Sequence, residues 1–254
     1  MPYSFCFLLS SERIHCITRS SEIKEGGGLC CAICEQPADA EMVNCSFTTL
    51  MLEYLHNDSN EVLMTTSVVL VGVGGQGILL ASEIVAQAAV TAGFDMKTNE
   101  VHGMAQRGGS VIAQIRYGKE VFSPLVPKGT AKVLGSLERI ECLRYIDYLA
   151  DNGVAVVSDQ KIVPVTASTG GTPYPDVSEQ TLAKFFPRLV YLKAMAMATA
   201  LDNVKTANII LLGAISTYLD LPENAWEAAI KRSVKEKLIA VNIEAFHLGR
   251  TVKV

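Results

Sequence analysis

The sequence is poor in features that define several large classes of protein. Only 22 of its 254 residues are basic and 26 are acidic, and the net charge of −4 argues against a protein that binds nucleic acid by neutralising phosphates. No apolar run approaches the roughly 18 residues that a membrane span requires, and the apolar segment 5–9 lacks the preceding basic residue of a signal peptide. We therefore expect a cytoplasmic protein that contacts neither nucleic acid nor membrane.

Cysteine is scarce outside the first quarter of the chain. Residues 1–63 contain six of the seven cysteines, and 64–254 contain Cys142 alone. Cys31 and Cys34 form a C-x-x-C pair, but no second such pair and no histidine pair follows, as a zinc site would need. The regular four-cysteine spacing of a ferredoxin is also missing. We predict no metal site in this chain.

Residues 1–63 differ from the remainder in composition. They carry three basic and nine acidic side chains, show no clear apolar periodicity, and end just before Met64. Met64 is followed at once by the first segment with the pattern of a buried strand. We expect 1–63 to be a non-native or disordered extension, 64–254 to form one domain, and natural translation to begin at Met64.

Strands and helices alternate along the predicted domain, which favours a parallel α/β sheet. The β-branched run 68–73 predicts a strand buried on both faces, and further strands are predicted at 94–99, 110–117, 131–134 and 154–157, with a short antiparallel partner at 121–122. Helices are predicted at 76–92, 137–149, 179–186, 195–201, 206–218, from Pro222 onward and at 235–247, and a long loop at 164–177. The predicted fold class is α/β: a three-layer, doubly wound, mostly parallel mixed sheet with helices on both faces.

A glycine-rich turn joins the first predicted strand to the first predicted helix. Glycines in a strand-to-helix turn permit close backbone approach, and the helix start offers free N–H groups to an anion. A dinucleotide site would also need an acid on a neighbouring strand, for which Glu100 is a candidate. The alternative is that the glycines only allow close packing or a subunit contact. The candidate binding residues in this turn are Gly72, Gly74, Gly75, Gln76 and Gly77.

A second glycine loop lies between two predicted strands. Arg107 carries a planar fork of donors that suits phosphate or carboxylate, although it could instead clamp this loop to the first turn. His102 has no serine, cysteine or acid nearby in a triad-like order, so we predict no catalytic residue in the chain. The candidate binding residues in this loop are Gly103, Met104, Gln106, Arg107, Gly108 and Gly109.

Together the two loops resemble the gamma-type domain of the 2-oxoacid:ferredoxin oxidoreductases. The Gly-Met-x-Gln-Arg-Gly-Gly form of the second loop is similar to that of the beta subunits of indolepyruvate ferredoxin oxidoreductases. The stretch 207–214, residues 235–237, Asn242 and Ala245-Phe246 also match. The resemblance covers about 66–250 and identifies 64–254 as a gamma-type catalytic domain.

This resemblance implies one subunit of a heteromeric oxidoreductase that is not active alone. The complex would convert an aryl 2-oxoacid and coenzyme A to acyl-CoA and CO2, with ferredoxin as electron acceptor. Thiamine diphosphate, Mg2+ and [4Fe-4S] clusters are expected on a larger alpha subunit. The present chain has neither the Gly-Asp-Gly and Asn-Asn pattern for thiamine nor the cysteines for a cluster, and it would pack beside that active site. Arg107 and its neighbouring glycines would then face the junction with the partner's thiamine site or coenzyme A.

Three other functions remain open from the residues. A stand-alone NAD-dependent dehydrogenase would explain the first turn but gives no role to Gln106-Arg107-Gly108-Gly109. A non-catalytic scaffold would keep the fold without the chemistry. Within the family, a gamma subunit of the pyruvate or 2-oxoglutarate type is the remaining alternative.

Overall fold

The computed structural model describes residues 5–10, 13–17, 65–102, 108–163 and 174–252. The chain divides into two units, 1–51 and 52–254. In the first unit, the backbone of Phe5–Ser10 (β1) pairs antiparallel with that of Arg13–Ile17 (β2). The residue pattern did not predict this ribbon. The prediction for 18–63 lies outside the described residues.

The second unit is built on a six-stranded sheet with the order β4-β5-β3-β6-β7-β8. Strand β5 runs antiparallel to both of its neighbours, and the remaining pairs, β3–β6, β6–β7 and β7–β8, are parallel. The predicted mostly parallel mixed sheet is therefore confirmed. The strands are β3 (Thr66–Val73), β4 (Asp95–His102), β5 (Ser110–Gly118), β6 (Ala131–Ser136), β7 (Leu149–Ser158) and β8 (Leu189–Leu192).

Helices cover both faces of this sheet. One face packs against α1, α4, α5, α6 and α7, and the other against the short helices α2 and α3. Within the described ranges, no helix is long and apolar enough to cross a membrane. The helices are α1 (Ile78–Thr91), α2 (Glu141–Arg144), α3 (Glu179–Leu182), α4 (Ala194–Ala200), α5 (Ala207–Ser216), α6 (Glu223–Ser233) and α7 (Ile239–Arg250), with 3-10 turns at 146–148, 204–206 and 236–238.

The apolar pattern of the sequence accounts for the layers. Val68 to Val71 are almost fully buried because β3 is covered on both faces. All ten residues of α5 are buried, as expected of a helix that is apolar all round and packs between the sheet and α7. The buried aromatic pair Trp226 and Phe246 stacks between α6 and α7 at a centroid distance of 5.9 Å.

Several predicted boundaries were wrong, and tertiary contacts explain the differences. The predicted helix 137–149 is reduced to α2 and a 3-10 turn, because Glu138 binds the backbone N–H groups that start α2 and Leu149 already pairs with β6. Strand β4 extends to His102 by pairing with β5, and Val121-Phe122 is not a strand. The four-residue strand β8 was missed, and α7 starts at Ile239 rather than 235.

Candidate functional site at the carboxyl edge of the sheet

The first glycine turn lies where β3 ends and α1 begins, and Gln76 holds it in place. The side-chain oxygen of Gln76 accepts a hydrogen bond from Val73 N–H at 2.7 Å. Its amide nitrogen donates to the carbonyl of Leu137 and to Oε1 of Gln160, both at 2.8 Å. One side chain thereby links the carboxyl ends of β3, β6 and β7. Because the side-chain amide of Gln76 is already hydrogen-bonded within the fold, we expect Gln76 to position the turn, in addition to any contact with a ligand.

The two glycine segments lie side by side. Gly74 N–H donates to the carbonyl of Gly109 at 2.8 Å, and Gly108 N–H donates to the carbonyl of Gly74 at 3.4 Å. This contact follows from the sheet, because Val73 pairs with Ser110 at the start of β5. The predicted residues Gly103, Met104, Gln106 and Arg107 lie outside the described residues. In the sequence Arg107 directly precedes Gly108, the residue whose N–H contacts Gly74.

The N-terminus of α1 meets the N-terminus of α5 at Gly77. This glycine caps α1 with φ +82°, and its carbonyl accepts a hydrogen bond from the side-chain amide of Asn208 at 3.2 Å. A Cβ atom at Gly77 would lie 2.6 Å from Nδ2 of Asn208. The first turn of α1 carries no capping side chain and no acidic residue. Its N–H groups and partial positive charge are therefore suited to an anion. Asn208 was not predicted as a site residue; it stood out only as a polar residue within an apolar helix.

A cluster of hydrogen-bonded polar side chains contacts Ser110, the residue that follows the second glycine segment. The Ser110 hydroxyl donates to the carboxylate of Glu141 and lies 3.0 Å from the hydroxyl of Tyr145. Glu141 is buried and also pairs with Arg144, whose Nε lies 3.3 Å from its carboxylate. Sequence patterns did not predict this cluster, because Ser110 and Glu141 come from separate elements.

Glu138 organises the neighbouring loop, close to the buried thiol of Cys142. This fully buried carboxylate accepts the N–H groups of Ile140 and Glu141 and the hydroxyl of Tyr174, the last at 2.7 Å. Burial, and secondarily the charge of Glu138, raises the pKa of the Cys142 thiol to about 12. The predicted burial of Cys142 is confirmed.

Asp159 follows β7 at the same edge. Its N–H donates to the carbonyl of Leu192 at 2.9 Å, which places it between the ends of β7 and β8. Burial raises the pKa of its carboxyl, and the charges of Lys193 and Arg139 oppose that rise. At the carboxyl edge, acidic and basic side chains therefore lie close together near the ends of β7 and β8, and β6 separates these strands from β3 and its glycine turn.

The position of Glu100 argues against a dinucleotide site. Glu100 is exposed on the edge strand β4, and β5 separates β4 from β3, so this acid does not lie next to the glycine turn. The expectation that Glu100 could hold a ribose was wrong for this reason. A cavity of about 410 Å3, lined by described residues, opens at the opposite, amino edge of the sheet, where Lys132 pairs with Asp220 and Arg188 binds the carbonyl of Asn152.

Residues 67–252 match the family model described as pyruvate ferredoxin/flavodoxin oxidoreductase. The chain belongs to this family. The family predicted from the two glycine loops is thus confirmed, and with it the assignment of the chain to the oxidoreductase subunits of this type.

Relatives in sequence support the same assignment. The indolepyruvate oxidoreductase subunit IorB of Thermococcus kodakarensis is 40% identical over 188 residues, covering 72% of this chain and 93% of the relative. The ketoisovalerate oxidoreductase subunit VorA of Methanothermobacter thermautotrophicus is 28% identical over 183 residues, covering 70% of this chain but only 34% of the relative.

Two solved structures share the fold. The gamma subunit of a keto/oxoacid ferredoxin oxidoreductase from Geobacter sulfurreducens superposes with a TM-score of 0.53 at 22% identity, covering 72% of this chain and 95% of that one. The 2-oxoglutarate:ferredoxin oxidoreductase from Magnetococcus marinus, solved with 2-oxoglutarate, coenzyme A and succinyl-CoA, superposes with a TM-score of 0.56 at 21% identity, covering 74% and 30%. The gamma-type fold is therefore confirmed.

Proposed function

We propose that this chain is the smaller subunit of an indolepyruvate-type 2-oxoacid ferredoxin oxidoreductase. In the overall reaction an aryl 2-oxoacid loses CO2, its acyl group forms a thioester with the thiol of coenzyme A, two electrons pass to two ferredoxins, and one proton is released. The single observation that carries this proposal is the contact between Gly74 and Gly109, which joins the two loops of the resemblance at one edge of the sheet. The identity of 40% to an indolepyruvate oxidoreductase subunit supports the choice of substrate class.

The residues at this edge suit an anionic co-substrate. The N-terminus of α1, which no side chain caps, offers backbone donors, and the open space beside Gly75 leaves room for a phosphate to approach. Arg107, next to Gly108, supplies a bidentate donor in this proposal. Coenzyme A carries such phosphates, and the related Magnetococcus enzyme was solved with coenzyme A bound. In this role the chain holds and orients coenzyme A while the thiol reacts elsewhere.

The second unit does not supply the ligands of an iron–sulfur cluster. Residues 64–254 contain Cys142 alone, and this one buried thiol cannot provide the four thiolates that a cluster needs. The cluster of possible metal ligands found among the described residues, Glu223, Glu227 and His247, lies on α6 and α7, and its carboxylates already pair with Arg250 and Lys231. Decarboxylation and electron transfer therefore belong to a larger companion subunit in this proposal.

Exposed apolar side chains support docking of that companion at the carboxyl edge. Eight large apolar side chains are exposed in the described part of the chain. Four of them belong to segments at this edge: the first turn of α1, the end of β4, the residues after β7 and the 3-10 turn before α5. Exposed apolar groups with a polar centre are typical of a protein interface. These four are Leu79, Val101, Val163 and Val204.

Co-expression with the neighbouring gene's product tests the function directly. We expect a stable complex that reduces ferredoxin or a viologen dye with indolepyruvate and coenzyme A faster than with pyruvate, whereas the isolated chain has no activity. If the chain alone bound NAD tightly and reduced a substrate, the dehydrogenase alternative would replace this proposal. Failure to form any complex would favour the scaffold alternative.

Arg107→Ala tests the proposed contact with coenzyme A. A hydrogen bond to a charged group contributes about 1.5–3 kcal/mol, so kcat/KM for coenzyme A should fall about 10- to 100-fold while complex assembly and Tm stay unchanged. Arg188→Ala, at the opposite edge of the sheet, is the matched control and should leave coenzyme A kinetics as they are. If Tm and assembly fall together with activity, Arg107 clamps the fold instead; unchanged kinetics would remove it from the site.

A further inference from the structure

Two cationic side chains meet one exposed carboxylate near the first glycine turn. Nη2 of Arg139 and Nζ of Lys161 each lie 3.5 Å from the same oxygen, Oδ1 of Asp176. The side chain of Asp176 is 84% exposed, whereas that of Arg139 is 17% exposed and that of Lys161 is 34% exposed. Two partly buried cations therefore converge on a position that a loosely held surface carboxylate occupies.

The two cations lie at the carboxyl edge of the sheet, close to Gln76. Arg139 N–H donates to the carbonyl of Gln160 at 3.1 Å, and the side chain of Gln160 accepts the hydrogen bond from Gln76 described above. Lys161 follows Gln160 directly in the chain. Both cations therefore belong to the loops that contact the glycine turn.

The order of the strands places these loops where ligands bind in sheets of this type. After β3 the chain passes through α1 on one face toward β4 and β5, and after β6 it passes through α2 on the other face toward β7 and β8. In open α/β sheets, ligands bind at such a switch point, in the crevice outside the carboxyl ends of the strands. The glycine turn follows β3 and Arg139 follows β6, so they follow the two strands that flank this point.

The buried carboxylate of Glu138 fixes the segments that carry the three charged side chains. It accepts hydrogen bonds from the N–H groups of Ile140 and Ile162, at 2.7 and 3.4 Å, and from the hydroxyl of Tyr174 at 2.7 Å. These contacts join the loops after β6 and β7 to the segment that contains Asp176. The two cations are therefore held on a preformed scaffold, so binding of an anion would cost little conformational entropy.

Arg139 also has a donor that the fold leaves unused. Its Nε–H is buried and has no hydrogen-bond partner in the part of the chain that the structure describes. A buried donor without a partner costs free energy, and Nε with Nη2 forms the side-on pair that binds two oxygens of one anion. The carboxylate of Asp176 contacts Nη2 alone, at a distance that is long for a hydrogen bond. An anion that contacts both donors would bind Arg139 more strongly than Asp176 does.

We infer that Arg139 and Lys161 form a phosphate subsite for coenzyme A, from which the phosphate displaces Asp176; this inference rests on the proposed function. That proposal assigns one phosphate group to the N-terminus of α1 and Arg107. Coenzyme A carries phosphate in two places, a diphosphate and a ribose phosphate, so a second subsite at the same edge suits the same molecule. A phosphate offers more charge and more oxygens than a carboxylate, and an exposed ion pair such as that of Asp176 contributes little stability.

Binding of coenzyme A to the co-expressed complex tests this subsite in two directions. Arg139→Gln should raise the Kd for coenzyme A about 10- to 100-fold, and Lys161→Gln should raise it by a smaller factor, because each removes a charged donor. Asp176→Asn should lower this Kd about two- to tenfold, because it removes the competing negative charge. Titration calorimetry without 2-oxoacid measures the Kd of each variant.

Asp147→Asn is the matched control for the gain in affinity. Asp147 is 66% exposed and pairs with Lys128 at 3.0 Å, before the starts of β6 and β7 at the amino edge of the sheet. Its substitution should leave the Kd for coenzyme A unchanged. Because the side chain of Asp176 is exposed, Asp176→Asn should keep the Tm of the wild type, and it decides the outcome even if Arg139→Gln lowers the Tm.

The analogue 3′-dephospho-coenzyme A, which lacks the ribose phosphate, identifies the bound group. If Arg139 binds the ribose phosphate, Arg139→Gln should weaken binding of coenzyme A and leave binding of the analogue unchanged. If Arg139 binds the diphosphate, this variant should weaken binding of both molecules by the same factor. Either result supports a phosphate subsite.

The outcomes separate this inference from the proposed function. If the complex binds coenzyme A, but Asp176→Asn does not tighten binding or Arg139→Gln does not weaken it, the inference is overturned and the proposed function stands. If the variants change KM for indolepyruvate and leave the Kd for coenzyme A unchanged, the cations bind the carboxylate of the 2-oxoacid and the inference is again overturned. If the wild-type complex binds no coenzyme A, the proposed function itself fails.

Discussion

At the scale of single residues, the candidate site depends on how closely Gly77 approaches Asn208. Gly77 has a positive φ that side chains other than glycine adopt at a cost, and the amide of Asn208 fills the space where a Cβ would lie. Gly93, at the other end of α1, has a similar φ of +88° but faces open space. Substitutions at these two glycines therefore distinguish the free-energy cost of backbone strain from that of steric contact.

We predict that Gly77→Ala destabilises the protein more than Gly93→Ala. Strain from the left-handed backbone costs about 1–2 kcal/mol at either position, and displacement of Asn208 adds about 1–3 kcal/mol at Gly77 alone. Urea unfolding followed by circular dichroism measures both. Adding Asn208→Ala to Gly77→Ala should recover part of the difference; equal losses in the two single variants would contradict the contact.

At the scale of elements, α5 and α7 cross at two glycines. A Cβ at Gly213 would overlap the carbonyl oxygen of Phe246, and a Cβ at Gly249 would overlap that of Ile210. The two backbones therefore pack in direct contact, which brings α7 against the buried helix α5 and fixes the helical layer above the sheet. Since α5 carries Asn208, this crossing also positions the site.

We predict that Gly213→Ala lowers stability by about 1–3 kcal/mol or more, because the helices would have to separate. Gly249→Ala, made on the other side of the crossing, should have an effect of the same sign. The urea midpoint at constant m-value measures both changes. Alanine in an unobstructed helix is better than glycine by about 1 kcal/mol, so a rise in stability in either variant would show that the crossing is looser than described.

At the scale of the whole molecule, the family match and the sheet of the second unit both begin close to Met64. The match covers 67–252, β3 starts at Thr66, and the core residues whose side chains the structure describes run from Val68 onward. Where translation begins and whether 1–63 belong to the natural protein stay predictions from the sequence.

We predict that a variant starting at Met64 melts within about 2 °C of the full chain and binds the companion with the same Kd, since it retains every core residue described. Intact-mass measurement of the natural protein tests the start site independently. A natural mass near 27.4 kDa would show that 1–63 are present, and a large drop in Tm would show that they contribute to stability.

Local patterns in the sequence determined the elements that are continuous in the chain. The β-branched run of β3, the glycine turn, the apolar helices α1 and α5 and the isolated Cys142 were predicted because each depends on neighbouring residues alone. The family could also be recognised from local sequence, because each of the two glycine loops is short and continuous in the chain.

Tertiary structure alone decided which of these elements meet. Strand β5 inserts between β3 and β4, which brings Gly109 to Gly74 and removes Glu100 from the turn. Asn208 reaches Gly77 across 131 positions, and β8 exists only because four residues pair with β7. Such contacts depend on pairing and packing between distant segments, whose free energy has no counterpart in local residue patterns.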